Sequence, residues 1–245
     1  MDHEQFSAVA HTSHPIKAPL DDLSVQRLLG RAVARPGSRV LDLGCGTAEW
    51  LLRALTARPD VLAEGVDVSE IALATARERA VGLGVGDRLT LHRTPAADFA
   101  PPHRFDTVLS VGAVHAFGGL VPTLAAARAH LAPGGSVLVG TGFWQRPPTP
   151  EAVAMLGDLD DLAATVDRVV ADGWTPVDGH VSTQQELDAY EWACWGTLAA
   201  WGLDRPGTPG AADALAWSTA RLGEWLHDYR DAWGFVTLVL RRAVE

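Results

Sequence analysis

Hydrophobic positions along the first 142 residues alternate between helical and strand spacing. An apolar stripe at helical spacing runs from Val25 to Val33 and ends before Pro36 and Gly37. Beyond it, the pattern predicts strands at 39–43, 61–66, around 89–91, at 105–111 and at 136–140, and helices at 50–57, 70–82 and 120–131. Strands that alternate with helices of this length predict an α/β fold, with a mostly parallel sheet covered by helices on both faces.

The remaining third of the chain has a different pattern. It predicts a helix at 158–171, a short strand at 177–182, and two helical stretches at 185–200 and 211–229. The final strand, 234–241, is apolar on both faces, so we expect it inside the sheet rather than at an edge. Residues 1–20 show no sustained periodicity and contain two prolines, which predicts an irregular N-terminal arm.

These elements predict a single domain spanning residues 1–245. It would consist of an N-terminal arm and helix at 1–35, a Rossmann-like core at 36–182 and 234–245, and a helical insertion at 183–233. Six of the nine tryptophans fall in that insertion. They fit either a helix packed on the sheet edge or a lid over a substrate pocket.

Composition narrows the classes of partner. Twenty basic and thirty acidic residues give a formal charge of −10, which argues against a nucleic-acid substrate. No apolar run approaches the roughly 20 residues that span a bilayer, so we expect no membrane association. The polar, acidic start and the two cysteines favour a cytoplasmic protein without a disulfide framework. The sequence does not indicate an oligomeric state.

The strongest motif is the segment Val40-Leu-Asp-Leu-Gly-Cys-Gly-Thr-Ala48, which joins a predicted strand to a predicted helix. Gly44 and Gly46 permit a tight turn that a ligand can approach, and the helix start offers free N–H groups. The dinucleotide pattern G-x-G-x-x-G requires a small residue where Glu49 stands. The spacing G-x-G-x-G fits instead, with Ala48 as its third small residue. The carboxylate of Glu49 would also be unfavourable beside a pyrophosphate.

A second motif, Gly65-Val-Asp67-Val-Ser69, ends the second predicted strand about 20 residues after the glycine loop. The Asp67 carboxylate can accept hydrogen bonds from both hydroxyls of a ribose. Taken alone, it also fits an acid at a helix N-terminus. Asp67 therefore supports a nucleoside ligand without choosing between NAD and S-adenosylmethionine.

Three further segments follow in order: Arg93-Thr-Pro-Ala-Ala-Asp98-Phe99, Arg104-Phe-Asp-Thr-Val-Leu-Ser-Val111 and Leu131-Ala-Pro-Gly-Gly-Ser-Val-Leu-Val139. With the two motifs above, they resemble class I (Rossmann-like) S-adenosylmethionine-dependent methyltransferases over about residues 23–142. Segments 14–19 and 190–195 are similar to a group of bacterial small-molecule methyltransferases whose substrates are largely unassigned. The resemblance implies S-adenosylmethionine as cofactor and a seven-stranded sheet in the order 3-2-1-4-5-7-6.

The same resemblance assigns a cofactor role to ten residues. Asp42, Gly44, Cys45 and Gly46 would surround the methionine part, Asp67 would hold the ribose, Val68 would pack on the adenine, and Val111 would lie near the sulfonium. Many members of the class have Gly-Asp-Ala after the third strand, where this chain has Thr94, Pro95 and Ala96. Pro95 cannot make the usual bond to adenine, so either Asp98 replaces it or the Ala96 backbone and packing suffice.

Methyl transfer requires the nucleophile to be aligned and water to be excluded, and it needs a general base only when the nucleophile must lose a proton. His115, just after the fourth strand, is the candidate base, although it also fits a surface histidine. His14, Tyr190, Glu191 and Trp195 are candidate substrate-binding residues. We expect residues 1–20 and 183–233 to roof the site, with the arm ordered only when a ligand binds.

Alternatives from other classes are a nicotinamide-dependent oxidoreductase and a non-catalytic cofactor-binding protein with the same fold. The first is disfavoured by Glu49 and by the lack of a Tyr-x-x-x-Lys pair. No Asn/Asp-Pro-Pro-Tyr segment follows the fourth strand, which together with the acidic charge favours a small-molecule acceptor. The histidines of the arm, His3, His11 and His14, have no matching cysteine or carboxylate cluster, so we predict no metal site.

Overall fold

A computed structural model describes residues 3–243, and side chains from residue 4 onward. Its strands are β1 Arg39–Leu43, β2 Leu62–Asp67, β3 Leu89–Arg93, β4 Phe105–Val111, β5 Leu131–Trp144, β6 Thr175–Val181 and β7 Trp233–Arg241. Its α-helices are α1 His3–Ala10, α2 Asp22–Ala32, α3 Glu49–Ala57, α4 Glu70–Gly82, α5 Leu120–His130, α6 Pro150–Leu156, α7 Leu162–Ala171, α8 Gln184–Leu203 and α9 Ala211–Glu224.

The strands form one seven-stranded sheet in the order β3-β2-β1-β4-β5-β7-β6, which confirms the predicted order. Parallel pairing joins β3 to β2, β2 to β1, β1 to β4 and β4 to β5, whereas β6 and β7 are antiparallel. Strand β7 lies between β5 and β6, as its two apolar faces predicted, and its residues from Gly234 to Leu240 are buried.

Residue contacts divide the chain into two compact units. The sheet unit comprises residues 21–141, residues 164–181 and the chain from Val236 onward. The helical unit comprises the chain up to Leu20 and residues 142–163 and 182–235.

The core of the sheet unit follows the hydrophobic pattern of the sequence. Helix α2 starts at the cap Asp21, whose carboxylate accepts the backbone N–H of Ser24, and the apolar stripe of α2 is buried. In β1, Val40 to Leu43 are all buried, as expected for a central parallel strand covered on both faces. The sheet therefore presents its strand ends, rather than its faces, to a ligand.

The prediction of an irregular N-terminal arm was wrong for residues 3–10, whereas residues 11–20 form turns without regular secondary structure. Residues His3–Ala10 form helix α1, which packs on α8 within the helical unit. Phe6 and Ala10 are buried in a cluster with Cys194 and Leu198, and the ring of Phe6 stacks on Trp217 at 5.1 Å between centroids. A helix of two turns is too short to show a clear periodicity in the sequence. Tertiary packing, rather than a local pattern, stabilises it.

Other boundaries also differ from the sequence prediction. Helix α6 was missed, although Thr149 caps it by accepting the Ala152 N–H and Pro150 occupies its first turn. The predicted helix from residue 158 begins instead at Leu162. The predicted helix over 211–229 ends as α-helix at Glu224 and continues as a π-helical turn, Trp225–Tyr229.

Candidate functional site

The loop between β1 and α3 forms a tight turn. Gly44 and Gly46 have φ angles of +88° and +52°, in the left-handed region that favours glycine. A Cβ on Gly44 would also lie 2.6 Å from the Cβ of Ala113, so this position admits no side chain. Ala48 starts α3 with φ 57° and without a side-chain cap, which leaves N–H groups of the first turn available to a ligand.

Asp67, at the end of β2, is held by the backbone on both sides. Its Oδ2 accepts the N–H of Gly46 at 2.7 Å, and its Oδ1 accepts the N–H of Ser69 at 2.9 Å. A carboxylate has about four lone-pair sites, so each oxygen can still accept another hydrogen bond. The side chain is therefore oriented in advance and retains the capacity to bind a ribose diol.

A second carboxyl group, Asp42 in β1, is almost fully buried, with 3% of its surface exposed. Burial, and to a smaller extent the nearby negative charge of Asp67, raise its pKa to about 7. A cationic ligand would favour the ionised form of Asp42. This pair of carboxyl groups therefore suits a ligand that carries positive charge.

Glu49 does not present an unpaired charge to the glycine loop. Its carboxylate is buried and forms ion pairs with Arg53, at 2.7 Å, and with Arg79. The expected repulsion between Glu49 and a pyrophosphate is thus reduced by these arginines, and the argument against a dinucleotide depends on the glycine spacing alone.

The segments after β3 and β4 carry the remaining predicted cofactor residues and the candidate base. Thr94 donates its backbone N–H to the Asp67 carbonyl at 3.2 Å, which fixes the chain just before Pro95. Because β3, β2, β1 and β4 are parallel neighbours, their carboxyl ends share one edge of the sheet. The structure therefore brings these segments to the edge that carries the glycine loop.

Exposure differs among these residues. Pro95 and Asp98 are exposed, as is Val68 at 62%, whereas Ala96 and Val111 are partly buried. These surfaces are available for contact with an adenine or with other parts of a cofactor.

His115 lies in the 3₁₀ turn Val114–Phe117 that follows β4, and it is exposed. Ala113, just before this turn, is buried against the glycine loop. The loop that carries His115 is therefore anchored next to the glycine loop.

In the helical unit, three of the four predicted substrate-binding residues line one cavity of about 390 Å³: Tyr190, Glu191 and Trp195. His14 is not among its lining residues. Its Nε2–H donates to the Ala18 carbonyl at 2.9 Å, and its ring packs edge-on against Tyr190 at 5.3 Å.

The tryptophans of α8 do not share one packed face. Trp195 is 9% exposed and belongs to the cluster with Phe6, but Trp192 is 52% exposed. Trp192 therefore fits neither a packed helix face nor the cluster that contains Trp195. The buried face of α8 is instead formed by Leu187, Glu191, Cys194, Trp195 and Leu198.

Sequence reasoning missed several residues of this cavity. They come from α1, α9, the π-helical turn and the start of β7: Ser7, His11, Trp217, Arg221, Tyr229 and Trp233. His11 was noted in the sequence only as an unsupported metal ligand. No group of three or more His, Cys, Asp or Glu side chains that could hold a metal occurs within the described part of the chain. The side chain of His3 lies outside the described residues.

The parallel sheet, the glycine loop and Asp67 define a Rossmann-like nucleoside-binding α/β protein. A family model described as a methyltransferase domain matches residues 41–137. Together with the similar solved structures, this match shows that the chain is an S-adenosylmethionine-dependent methyltransferase.

Two relatives match along the whole chain. The uncharacterized protein YjhP of Escherichia coli (strain K12) is 28% identical, over 98% of this chain and 100% of that protein. The second is a SAM-dependent methyltransferase from Geobacter sulfurreducens, with a crystal structure in complex with S-adenosyl-L-homocysteine. Its sequence is 27% identical to this chain. It has a TM-score of 0.88, with 98% of each chain covered.

A third relative has a named substrate but a shorter match. The 27-O-demethylrifamycin SV methyltransferase of Amycolatopsis mediterranei (strain S699) is 33% identical over 46% of this chain and 42% of that protein. Among residues 3–243, no helix has the length and apolarity needed to cross a membrane.

Proposed function

We propose that this enzyme transfers the methyl group of S-adenosylmethionine to a small-molecule acceptor by in-line displacement. The observation that carries the proposal is the Asp67 carboxylate, which is fixed by the backbone N–H groups of Gly46 and Ser69 and can still accept from a ribose. The net charge of −10 disfavours a nucleic-acid acceptor. A relative over part of the chain is named for a small-molecule acceptor, demethylrifamycin.

The residues at the glycine loop would bind the methionine part of the cofactor. Gly44, Cys45 and Gly46 would place backbone groups against it, and the ionised form of Asp42 would offset its positive charge. Asp67 would hold the ribose hydroxyls. The cofactor supplies a methyl group already activated by its sulfonium, so the protein mainly has to orient the reactants and exclude water.

Val68, Pro95, Ala96, Asp98 and Val111 would complete the cofactor site. Val68 is exposed and can pack on the adenine face. Pro95 lacks the N–H and the carboxylate that would bind the adenine amino group, which leaves the exposed Asp98 as a side-chain acceptor and the Ala96 backbone as the alternative. Val111, at the end of β4, would lie near the sulfonium.

His115 would act as the general base when the acceptor must lose a proton. Its exposure in the turn after β4 leaves its ring accessible to an acceptor. Replacing His115 with Gln should then lower kcat by about 10²–10⁴-fold with the cofactor Kd unchanged. An unchanged kcat would remove His115 from the mechanism.

The acceptor would bind through Tyr190, Glu191 and Trp195, the predicted residues that line the cavity of the helical unit. His14 supports this group by packing against Tyr190 rather than by lining the cavity. We also propose a cytoplasmic location, which is compatible with the two buried cysteines, neither of which is in a disulfide.

Calorimetry and a labelling screen test the proposal. S-adenosylhomocysteine should bind in the micromolar range, and binding of NAD instead would contradict the cofactor assignment. The protein, incubated with a metabolite extract and methyl-labelled cofactor, should then yield a labelled small molecule that mass spectrometry can identify. The Asp67→Ala variant is the matched control for background labelling.

A further inference from the structure

The cavity of the helical unit is bounded mainly by aromatic side chains. Tyr190, Trp195, Trp217, Tyr229 and Trp233 line it, and its volume of about 390 Å³ falls within the range of pockets for small molecules. Trp195 and Trp217 pack edge-to-face at 5.7 Å, so these two rings are held in place. Such walls suit a planar, largely apolar ligand.

One wall of the cavity is polar but uncharged. The Nδ1–H of His11 donates to the Ser7 carbonyl at 2.8 Å, which makes Nε2 the acceptor for the Tyr190 hydroxyl at 3.1 Å. Burial lowers the pKa of His11 to about 4, so the imidazole is neutral at physiological pH. The proton of Tyr190 is therefore already used within the protein.

Tyr229 differs from Tyr190 in having an unused hydroxyl. It is 2% exposed, and its hydroxyl has no hydrogen-bond partner among the described residues. This hydroxyl is inaccessible even to water, so a ligand in the cavity contacts the ring of Tyr229 rather than its oxygen.

Glu191 supplies a hydrogen-bond acceptor. It is 5% exposed, and its Oε2 accepts the indole N–H of Trp195. Burial raises the pKa of Glu191 to about 7, while the Arg221 guanidinium opposes that rise. A ligand hydroxyl that donates to the second carboxylate oxygen would satisfy this buried group.

The charges around the cavity disfavour an ionic ligand. Arg221 is paired with Glu224 at 2.8 Å and lies 5.3 Å from the centre of the Trp195 ring, so the cation–π position on that ring is already occupied. An organic cation would meet Arg221, and an anion would meet Glu191. The lining therefore favours a neutral molecule.

We propose that this cavity binds an uncharged aromatic molecule that carries a hydroxyl group, that is, a phenol. The aromatic ring packs between the tryptophans, and the phenol O–H donates to Glu191. Identifying this phenol as the methyl acceptor rests on the proposed function. Its binding does not, because it requires no cofactor.

The test is calorimetry of the full chain without cofactor, at pH 8, with four naphthalene derivatives. We expect 2-naphthol to bind, 2-methoxynaphthalene to bind roughly 10-fold more weakly because it cannot donate, and 2-naphthoate and 2-naphthylmethylammonium not to bind. Tighter binding of either ion, or equal binding of 2-naphthol and its methyl ether, would overturn the proposal.

Three variants locate the site. Glu191→Gln should weaken 2-naphthol but not the methyl ether, whereas Tyr229→Phe should leave both affinities unchanged because the ligand does not reach that hydroxyl. Ser7→Leu should block binding by filling the cavity from α1 without removing a polar partner of the ligand. Trp192→Phe, at an exposed position on the same helix, is the matched control and should leave 2-naphthol affinity unchanged.

S-adenosylhomocysteine affinity, measured on the same variants, separates the two proposals and reports whether each variant is folded. If S-adenosylhomocysteine binds and 2-naphthol does not, the phenol site is wrong and the proposed methyl transfer stands. If 2-naphthol binds with the expected variant pattern but S-adenosylhomocysteine does not, the phenol site stands and the proposed function fails.

Discussion

The carboxylate of Asp67 accepts the backbone N–H of Gly46 at 2.7 Å, so the end of β2 holds the glycine loop that follows β1. The second carboxylate oxygen accepts the N–H of Ser69, at the start of α4. One side chain thus fixes two loops and retains lone pairs for a ligand. Asp67 is therefore both a structural anchor and a candidate ribose ligand.

Replacing Asp67 with Ala should weaken S-adenosylhomocysteine binding by about one to two orders of magnitude, because a hydrogen bond to a charged group contributes about 1.5–3 kcal/mol. It should also lower the free energy of unfolding, since two backbone N–H groups lose their acceptor. Glu70→Ala, an exposed acid in the first turn of α4, is the control. Equal cofactor affinity in the two variants would show that Asp67 only anchors the loops.

Gly44→Ala should destabilise the protein by roughly 2–5 kcal/mol and abolish cofactor binding. About 1–2 kcal/mol comes from a left-handed φ at a residue with a side chain, and about 1–3 kcal/mol from overlap with Ala113. Gly37→Ala separates the two costs, because Gly37 also has a positive φ but nothing within 4 Å of an added Cβ. Urea unfolding measures both. A Gly44→Ala variant no less stable than Gly37→Ala would contradict the predicted overlap.

The features that the sequence indicates are local or repeated along the chain. Gly44, Gly46 and Asp67 lie in one strand–helix–strand segment, so their spacing alone indicated a ligand at the strand ends. The interior position of β7 followed from its two apolar faces. In both cases neighbouring residues carry the signal.

The residues that were missed depend on contacts between distant parts of the chain. His11 and Tyr190 are 179 positions apart and meet only because α1 packs on α8. Tyr229, whose hydroxyl has no partner among the described residues, lies in a π-helical turn where the periodicity predicted continuous helix. Sequence spacing does not encode either arrangement, because tertiary packing creates both.

The buried carboxyl of Asp42 predicts an unusual pH dependence of stability. Below its ordinary pKa of 3.8 the group is protonated in both the folded and the unfolded state, and it has no effect. Between pH 3.8 and about 7 the folded state retains a proton that the unfolded state loses, so the free energy of unfolding falls as pH rises. The loss should reach on the order of 4 kcal/mol and level off above pH 7.

Asp42→Asn should remove this effect in the cofactor-free protein. At pH 8 the variant should be markedly more stable than the parent, and at pH 4 this difference should be much smaller. Urea unfolding at both pH values measures it. Asp87→Asn, at an exposed acid, should show no such change. The same Asp42→Asn variant should bind S-adenosylmethionine more weakly, because it cannot become an anion. A parallel pH profile for parent and variant would show that Asp42 is already ionised in the folded state.

Helix α1 supplies the last prediction, because the sequence suggested an arm that only a ligand would order. Phe6 is 8% exposed and stacks on Trp217, while Ser13 donates its hydroxyl to the Ala193 carbonyl at 3.2 Å. These contacts join the arm to α8 and α9 and involve only groups of the protein. Amides of α1 should therefore be protected from hydrogen exchange in the cofactor-free protein.

Phe6→Ala should lower the free energy of unfolding by about 3–5 kcal/mol, as expected for truncating a buried phenylalanine, and should remove the protection of α1. Leu23→Ala, at a side chain that is 73% exposed, should change stability by less than about 0.5 kcal/mol. Cys194 and Leu198 pack in the cluster with Phe6. Deleting residues 1–18 would uncover both side chains, so this deletion should expose an apolar face of α8 and favour aggregation. If α1 exchanges at the rate of an unstructured peptide and Phe6→Ala is as stable as the parent, the arm is not part of the helical unit's core. The expectation from the sequence, that the arm becomes ordered only when a ligand binds, would then stand.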